Sequence, residues 1–348
     1  MISCGRDHTV ALLDSGAVFG WGGDGSGRRP PDTPQYCATP RAGGAPVEVP
    51  LGAPVAKLAA GHGVTLAITE HGQLHIWGAN ACGVAGRLDA IGLATPQSLP
   101  GLTGMQAVAA GEFQNAAIDA EGRLVTWGLN TEGTLGRPVQ QHNAGPGHVP
   151  GIAGVEQVAV GRGHMLAIDA DGILYGWGSN GAGQLGLGHL MSAVSPQPIP
   201  AGDRRFSRIA AGASHSLALS RLGKVYAWGS NHHGQLGHDA PRYASGLLPV
   251  HLPEQVKAIG AGMHYSVALG ASGTVYTWGW NGYGQLGIDG GDRHRPATVD
   301  HLAPASAIAA GEAHVVALTS SGLYGWGNNA SGQLGMAGLR QPVPTLFF

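Results

Sequence analysis

A Trp-Gly pair recurs at Trp21, Trp77, Trp127, Trp177, Trp228, Trp278 and Trp326, with successive spacings of 56, 50, 50, 51, 50 and 48 residues. A period near 50 residues is far longer than any helical or heptad repeat, and it marks supersecondary units that cannot bury an apolar face alone. The fullest copy is AGEAHVVALTSSGLYGWGNNASGQLG at 310–335. Length alone would suggest two or three domains. Because the repeat runs through residues 1–348, the expectation is instead one domain, an all-β, seven-bladed β-propeller centred on those tryptophans.

Each repeat divides into four short segments of strand character, as in residues 196–200, 206–212, 215–219 and 224–229. Alternation in KVYAWG and the β-branched or aromatic content of the others fit half-buried strands, with Gly at every junction. The linker after each Trp-Gly strand is about twenty residues, too long for a hairpin and suited to a crossing between blades. The order expected within a blade is therefore a Pro strand, an Ala-Gly strand, a His strand and a Trp strand. On that frame residues 1–22 lack a first strand and residues 341–348 supply one. The C-terminal strand is expected to pair with the N-terminal blade and close the ring.

Antiparallel order gathers the Ala-Gly-x-x-His turns and the long linkers on one rim and the tight hairpins on the other. Variation concentrates on the first rim. After the turn glycine stand Arg6-Asp7, His62-Gly63, Glu112-Phe113, Arg162-Gly163, Ala213-Ser214, Met263-His264 and Glu312-Ala313, and Trp280 follows one Trp-Gly pair. A constant scaffold with a varied loop face is how binding surfaces are usually built.

Only 11% of residues are charged, 61 are glycine and the formal net charge is −2, a balance that excludes a general binder of nucleic acid or of membrane surfaces. Arg28-Arg29 and Arg204-Arg205 read as solvated loop charges. Cys4, Cys37 and Cys82 form no paired spacing, so neither a disulfide framework nor a thiolate metal site is indicated. With no signal-peptide pattern and no apolar run of membrane length, the expected location is cytoplasmic. A secreted effector using a specialised signal would look the same.

The copies AGASHSLALSRLGKVYAWGSNHHGQLG at 211–237 and AGMHYSVALGASGTVYTWGWNGYGQLG at 261–287 resemble the repeat of the regulator of chromosome condensation family. The likeness covers essentially the whole chain. It implies a seven-bladed β-propeller and a mixed range of activities: an exchange factor for the small GTPase Ran, bacterial effectors aimed at host GTPases, a β-lactamase inhibitor and a plant ultraviolet-B photoreceptor. The photoreceptor is disfavoured, since its repeated Gly-Trp-Arg-His-Thr has Trp where this chain has Arg6, Arg162 and Met263. The exchange factor's wedge has no counterpart, because the longest linker, residues 22–49, is only slightly extended and lies elsewhere. The first two copies are weaker, and the family's His is Val64, Gln114 and Tyr265 in three repeats.

Three Gly-x-Gly-x-x-Gly matches, starting at Gly20, Gly181 and Gly282, recur because the repeat recurs. None opens a helix that could face a phosphate. His8, His164, His215 and His314 share one register and are read as structural, each ring nitrogen bonded to a neighbouring backbone group. His232, His233 and His238 lack the supporting ligands of a metal site. No nucleophile elbow and no cofactor motif is present. The function expected is a non-enzymatic protein-interaction module, with a small GTPase as one candidate partner. Its binding residues would be Arg6, Asp7, His62, Glu112, Phe113, Arg162, Met263, His264, Trp280 and Glu312. The alternative is an enzyme or small-ligand protein using His and Glu at the channel mouth. A pocket of converging polar groups would favour that alternative, and a broad aromatic and charged rim the first.

Overall fold

A computed structural model describes residues 1–23, 46–87, 92–138, 142–239 and 241–348. Arg28, Arg29 and Cys37 lie outside the described residues. The strands form seven four-stranded antiparallel sheets, the blades of a β-propeller. Blade 5 is representative, with Phe206–Ala211 innermost, then His215–Ser220, Val225–Ser230 and Tyr243–Val250 outermost. The expected class and blade number are thus borne out.

The order of strands within a blade differs from the expectation. The Ala-Gly strand comes first and lies at the axis, and the Pro strand comes last and lies at the periphery. Blade 7 runs Ala305–Ala310, His314–Thr319, Gly322–Asn328 and Arg340–Leu346. Its last strand pairs with its own third, Asn328 opposite Arg340 and Tyr324 opposite Leu346. At the other end of the chain Ile2–Cys4 pairs with its own neighbour, Ile2 opposite Ala11 and Cys4 opposite Thr9. The C-terminal strand therefore does not pair with the N-terminal blade.

The physical reason lies in the linker after Trp-Gly. Asn329 Oδ1 accepts from Leu334 N at 2.8 Å, while its Nδ2 donates to Met336 O and Gly338 O, each at 2.8 Å. Asn180, Asn231 and Asn281 bracket their loops in the same way. Much of the linker is coiled around this asparagine and spans no gap, and the chain returns antiparallel beside the Trp strand. The crossing between blades is made by the short connection at the opposite rim. There Val299 N donates to Val275 O within blade 6 at 2.9 Å, and Ala305 N, already in blade 7, donates to Gly273 O at 2.9 Å.

The apolar core is divided among the seams. Seven clusters of buried side chains each span two adjacent blades, and each contains one of the register tryptophans. The indole reaches back to the preceding blade. Trp177 Nε1 donates to Thr134 O at 2.9 Å, Trp228 to Gln184 O at 2.8 Å, Trp278 to Gln235 O at 2.9 Å and Trp326 to Gln285 O at 3.0 Å. Burying a large ring while satisfying its one polar atom is the arrangement expected of an indole in a core. The seam between blades 7 and 1 has the same apolar packing, with Cys4, Ala11, Trp21, Val316, Leu323 and Leu334 together, but Trp21 Nε1 is buried there without a hydrogen-bond partner among the described residues.

Candidate binding rim at the channel mouth

The inner strands end at the axis in a ring of seven glycines: Gly5, Gly61, Gly111, Gly161, Gly212, Gly262 and Gly311. A Cβ on Gly5, Gly61, Gly212 or Gly311 would overlap the carbonyl oxygen of Gly61, Gly111, Gly262 or Gly5. Glycine is required by the close approach of neighbouring backbones. That approach places the next residue's N–H against the adjoining blade at Arg6, His62, Ala213, Met263 and Glu312. Arg6 N donates to Gly61 O at 3.2 Å, His62 N to Gly111 O at 3.0 Å, Met263 N to Glu312 O at 2.9 Å and Glu312 N to Gly5 O at 3.1 Å. The side chains at those five positions are thus presented from backbone that is tied to the next blade.

Arg6, His62, Glu112, Arg162, Met263 and Glu312 line the mouth, around an open cavity of about 350 Å³ on the channel axis. The side chains between blades 7 and 2 form one network. Arg6 Nε lies 3.4 Å from Asp7 Oδ2 and 3.8 Å from Glu312 Oε2. Arg6 Nη1 also bonds His62 Nε2. The other ring nitrogen, His62 Nδ1, lies 3.4 Å from Glu312 Oε2, so the imidazole bridges the guanidinium and the carboxylate. Burial works to raise the Glu312 carboxyl, but the His62 hydrogen bond and the charges of His62, Arg6 and Arg162 outweigh it and hold it below the ordinary range. Arg162 pairs with Glu112 at 3.0 Å, and Phe113 stacks on His62 with centroids 6.1 Å apart.

A second sector is aromatic. His264 and Trp280 meet edge to face at 6.1 Å, Trp280 and Tyr283 at 5.4 Å, and His233 lies 5.3 Å from His264 and 6.1 Å from Trp280. Asp292 Oδ2 fixes His233 Nδ1 at 2.7 Å. Burial, then the neighbouring His233, lowers the pKa of His264. His233, Tyr283 and Asp292 are absent from the residues expected at the site. A signal existed: His233 and Tyr283 occupy the same variable position of their Asn-x-x-Gly-Gln-Leu-Gly loops, where other repeats carry Ala182 and Ser331.

Nine of the ten expected residues therefore fall into two groups on one rim. Arg6, Asp7, His62, Glu112, Phe113, Arg162 and Glu312 form the charged arc, and His264 and Trp280 the aromatic one. Met263 lines the channel between Ala213 and Glu312. The register histidines are elsewhere, buried in the seams, and their partners are hydroxyl groups of the next blade where backbone groups were expected. His164 Nε2 lies 2.9 Å from Ser216 Oγ, His215 Nε2 3.0 Å from Ser266 Oγ, His314 Nε2 3.0 Å from Thr9 Oγ1 and His8 Nε2 2.9 Å from Thr65 Oγ1. Ser216, Ser266 and Thr9 in turn donate to the carbonyls of Gln184, Gln235 and Gln333 at 2.7–2.8 Å. A hydroxyl has one proton, so in these three seams the histidine donates and is the neutral Nε2–H tautomer.

Among the described residues no group of three or more His, Cys, Asp or Glu side chains is arranged to hold a metal ion. No helix among them is long and apolar enough to cross a membrane.

The RCC1-like domain profile matches residues 88–346, and the regulator of chromosome condensation (RCC1) repeat matches residues 2–28. The mitochondrial RCC1 domain-containing protein RUG3 of Arabidopsis thaliana is 33% identical over 118 residues, which is 30% of this chain and 24% of that protein. The chain spans a quarter or less of the length of the curated relatives it matches. The crystal structure of human WBSCR16 aligns over 99% of this chain and 94% of its own, with a TM-score of 0.80 and 25% identity. That of Prp20p from Saccharomyces cerevisiae, described with its binding properties to Gsp1p and histones, aligns over 89% of this chain and 80% of its own, with a TM-score of 0.76 and 24% identity.

Proposed function

This chain belongs to the RCC1-like domain family, and from that premise we propose that it is a protein-interaction module without catalytic activity, docking a partner on the rim of Ala-Gly-x-x-His turns. One observation carries the reading: charged and aromatic side chains from several blades lie half-exposed on one rim, whose backbone is tied across the seams at five positions. Aromatic and arginine anchors on a pre-organised surface are what protein interfaces use, because little side-chain freedom remains to be lost on binding. Trp280, His264, Phe113, Arg6 and Arg162 are the anchors, and Asp7, His62, Glu112, Met263 and Glu312 surround them.

The cavity at the channel mouth is the feature that favours a small ligand. Its acids, however, are spent on internal pairs: Glu112 is bound to Arg162 and Glu312 to His62 and Arg6. A carboxylate held below its ordinary pKa is a weak base, so acid–base catalysis there gains little support. A small GTPase is the partner class to test first, in keeping with the binding of Gsp1p described for Prp20p.

The test is quantitative capture of partners from extract of the source cells on immobilised wild type, Trp280→Ala, Arg162→Glu and Asp171→Lys, the last in the hairpin between His164–Asp169 and Leu174–Gly178 on the opposite rim, followed by titration of the purified candidate. Partners are expected to be retained by wild type and Asp171→Lys and lost from both rim variants. Retention by the rim variants with loss from Asp171→Lys would move the interface to the opposite rim and overturn the proposal. Nucleotide release from the captured GTPase, with and without the propeller, then separates a regulator from a simple binder.

A further inference from the structure

On the rim opposite the channel mouth, the turns of blades 5 and 6 enclose a cleft of about 510 Å³. Arg208 reaches it from the inner strand Phe206–Ala211, Arg221 and Leu222 from the hairpin that follows His215–Ser220, and Gln255 and Lys257 from the start of blade 6, while Gln157 of blade 4 closes one end. The walls are tied together. Gln157 Nε2 donates to Ser207 O at 2.8 Å, Arg221 Nη2 to Ala170 O at 2.9 Å, and Arg221 N to Arg205 O at 2.9 Å.

Three cations meet at this cleft without a matching anion. Among the described residues none of Arg208, Arg221 and Lys257 forms an ion pair with a carboxylate. The carboxylate beside them, Glu254, is engaged elsewhere: it accepts from Ser272 N at 2.7 Å, Ser272 Oγ at 2.6 Å and Tyr276 Oη at 2.9 Å, and reaches Lys257 only through its field. Arg204 and Arg205, just before Phe206–Ala211, and Lys224 are also exposed, with exposed Asp203 beside the first two. On the opposite rim, by contrast, Arg6 and Arg162 are both paired. In a chain of net charge −2, this is a local excess that the described residues do not neutralise by ion pairs.

We propose that this cleft binds a short acidic segment of a protein, its carboxylates against Arg208, Arg221 and Lys257 and an apolar side chain against Leu222. Charge complementarity selects the acid. The amides of Gln157 and Gln255 offer donors and acceptors together, which suits a peptide backbone. Leu222 is 75% exposed and supplies the apolar contact. Among the described residues no aromatic ring lines the cleft on which a base could stack, so a single-stranded nucleic acid would forfeit its main sequence-tolerant contact. The site is independent of the rim assigned to partner docking, and either can fail without the other.

The probe is a fluorescein-labelled nonapeptide of Glu with Leu at every third position, titrated with the full chain by anisotropy. Saturable binding is expected, weakened about tenfold by Arg208→Glu with Lys257→Glu and by raising salt from about 0.05 to about 0.3 M. Leu222→Ser should weaken it about threefold, while Arg162→Glu on the far rim should leave it unchanged. If the double reversal fails to fold by circular dichroism, Arg208→Gln with Lys257→Gln is the milder pair and should still lower affinity. Failure of the peptide to bind, unchanged binding by folded cleft variants, or equal binding of the Gln-for-Glu peptide would each overturn the proposal. Tighter binding of a single-stranded oligonucleotide of the same charge, lost in the same variants, would replace it with a nucleic-acid site.

Discussion

Thr9 Oγ1 and His314 Nε2, 305 residues apart in sequence, lie 3.0 Å from each other and join the last blade to the first. The same hydroxyl donates to Gln333 O at 2.7 Å, so one side chain of blade 1 holds two elements of blade 7. The contact repeats what Ser216 and Ser266 do at two interior seams. The ring is therefore closed by the same device that joins blade 4 to blade 5 and blade 5 to blade 6.

Replacing that hydroxyl should be costly. Thr9→Val keeps the shape but strands a buried imidazole N–H and a buried carbonyl, for an expected loss of about 2–4 kcal/mol. Thr9→Ser should recover most of it. Urea unfolding of the two variants decides the matter, and similar midpoints for Val and Ser would mean that the hydrogen bonds contribute nothing net.

The same latches predict acid sensitivity. Burial lowers the pKa of His8 and His164 to about 4 and of His215 and His314 to about 3, with the nearby histidines as the smaller cause where one is present. In the unfolded chain each titrates near 6.5, so between that value and the folded one the unfolded state binds more protons. Stability is full above about pH 6.5 and falls as pH drops, with a limiting slope of about 1.4 kcal/mol per pH unit for each histidine. His215→Gln tests it directly, since Gln114 already fills this register in blade 3 and donates to Gly161 O and Arg162 O at 3.0 and 2.8 Å. The variant should unfold with a shallower pH dependence than wild type between pH 6.5 and pH 4.

Trp177 and Trp280 should separate cleanly. Trp177 is fully buried and hydrogen-bonded across its seam, so Trp177→Ala should cost about 3–5 kcal/mol. Trp280 lies partly exposed on the rim among His233, His264 and Tyr283, and Trp280→Ala should cost under about 1.5 kcal/mol. Equal shifts in the urea midpoint would contradict the assignment of one to the core and the other to the surface.

Blade number, strand content and the face carrying variable residues were legible because they follow from local periodicity and from alternation of chain direction. Strand order within a blade was not. Loop length was read as distance to be crossed, whereas Asn180, Asn231, Asn281 and Asn329 coil their loops and leave the crossing to the short connections at the opposite rim. The site shows the same division. The residues after each turn glycine could be named from register, while the pairing of Arg6 with His62 and Glu312 depends on side chains of three blades converging at the axis. His233 reaches both Trp280 and Asp292 from a separate loop, which no spacing in the sequence encodes.

The C-terminal strand distinguishes the two frames experimentally. Deleting residues 341–348 removes most of the strand opposite Tyr324 and Asn328 and also Phe347, whose ring lies 5.6 Å from that of Trp21. It bares the edge of Gly322–Asn328, and an unpaired edge invites association. A lowered melting temperature and a tendency to oligomerise are therefore expected. Both outcomes would also follow if this strand paired with the first blade, so the melting temperature alone does not discriminate. Amide exchange does. In the observed pairing Ile2–Cys4 keeps its partners Thr9–Ala11 when the tail is gone, and protection should be lost at Leu323, whose N–H donates to Phe348 O at 2.6 Å, while persisting in the first strand. Phe347→Ala, which leaves every backbone pair in place, should lower stability through the Trp21 seam by about 2–4 kcal/mol without oligomerisation. Loss of protection at Ile2–Cys4 in the truncated protein, with the edge of Gly322–Asn328 still protected, would restore closure by strand exchange between the chain ends.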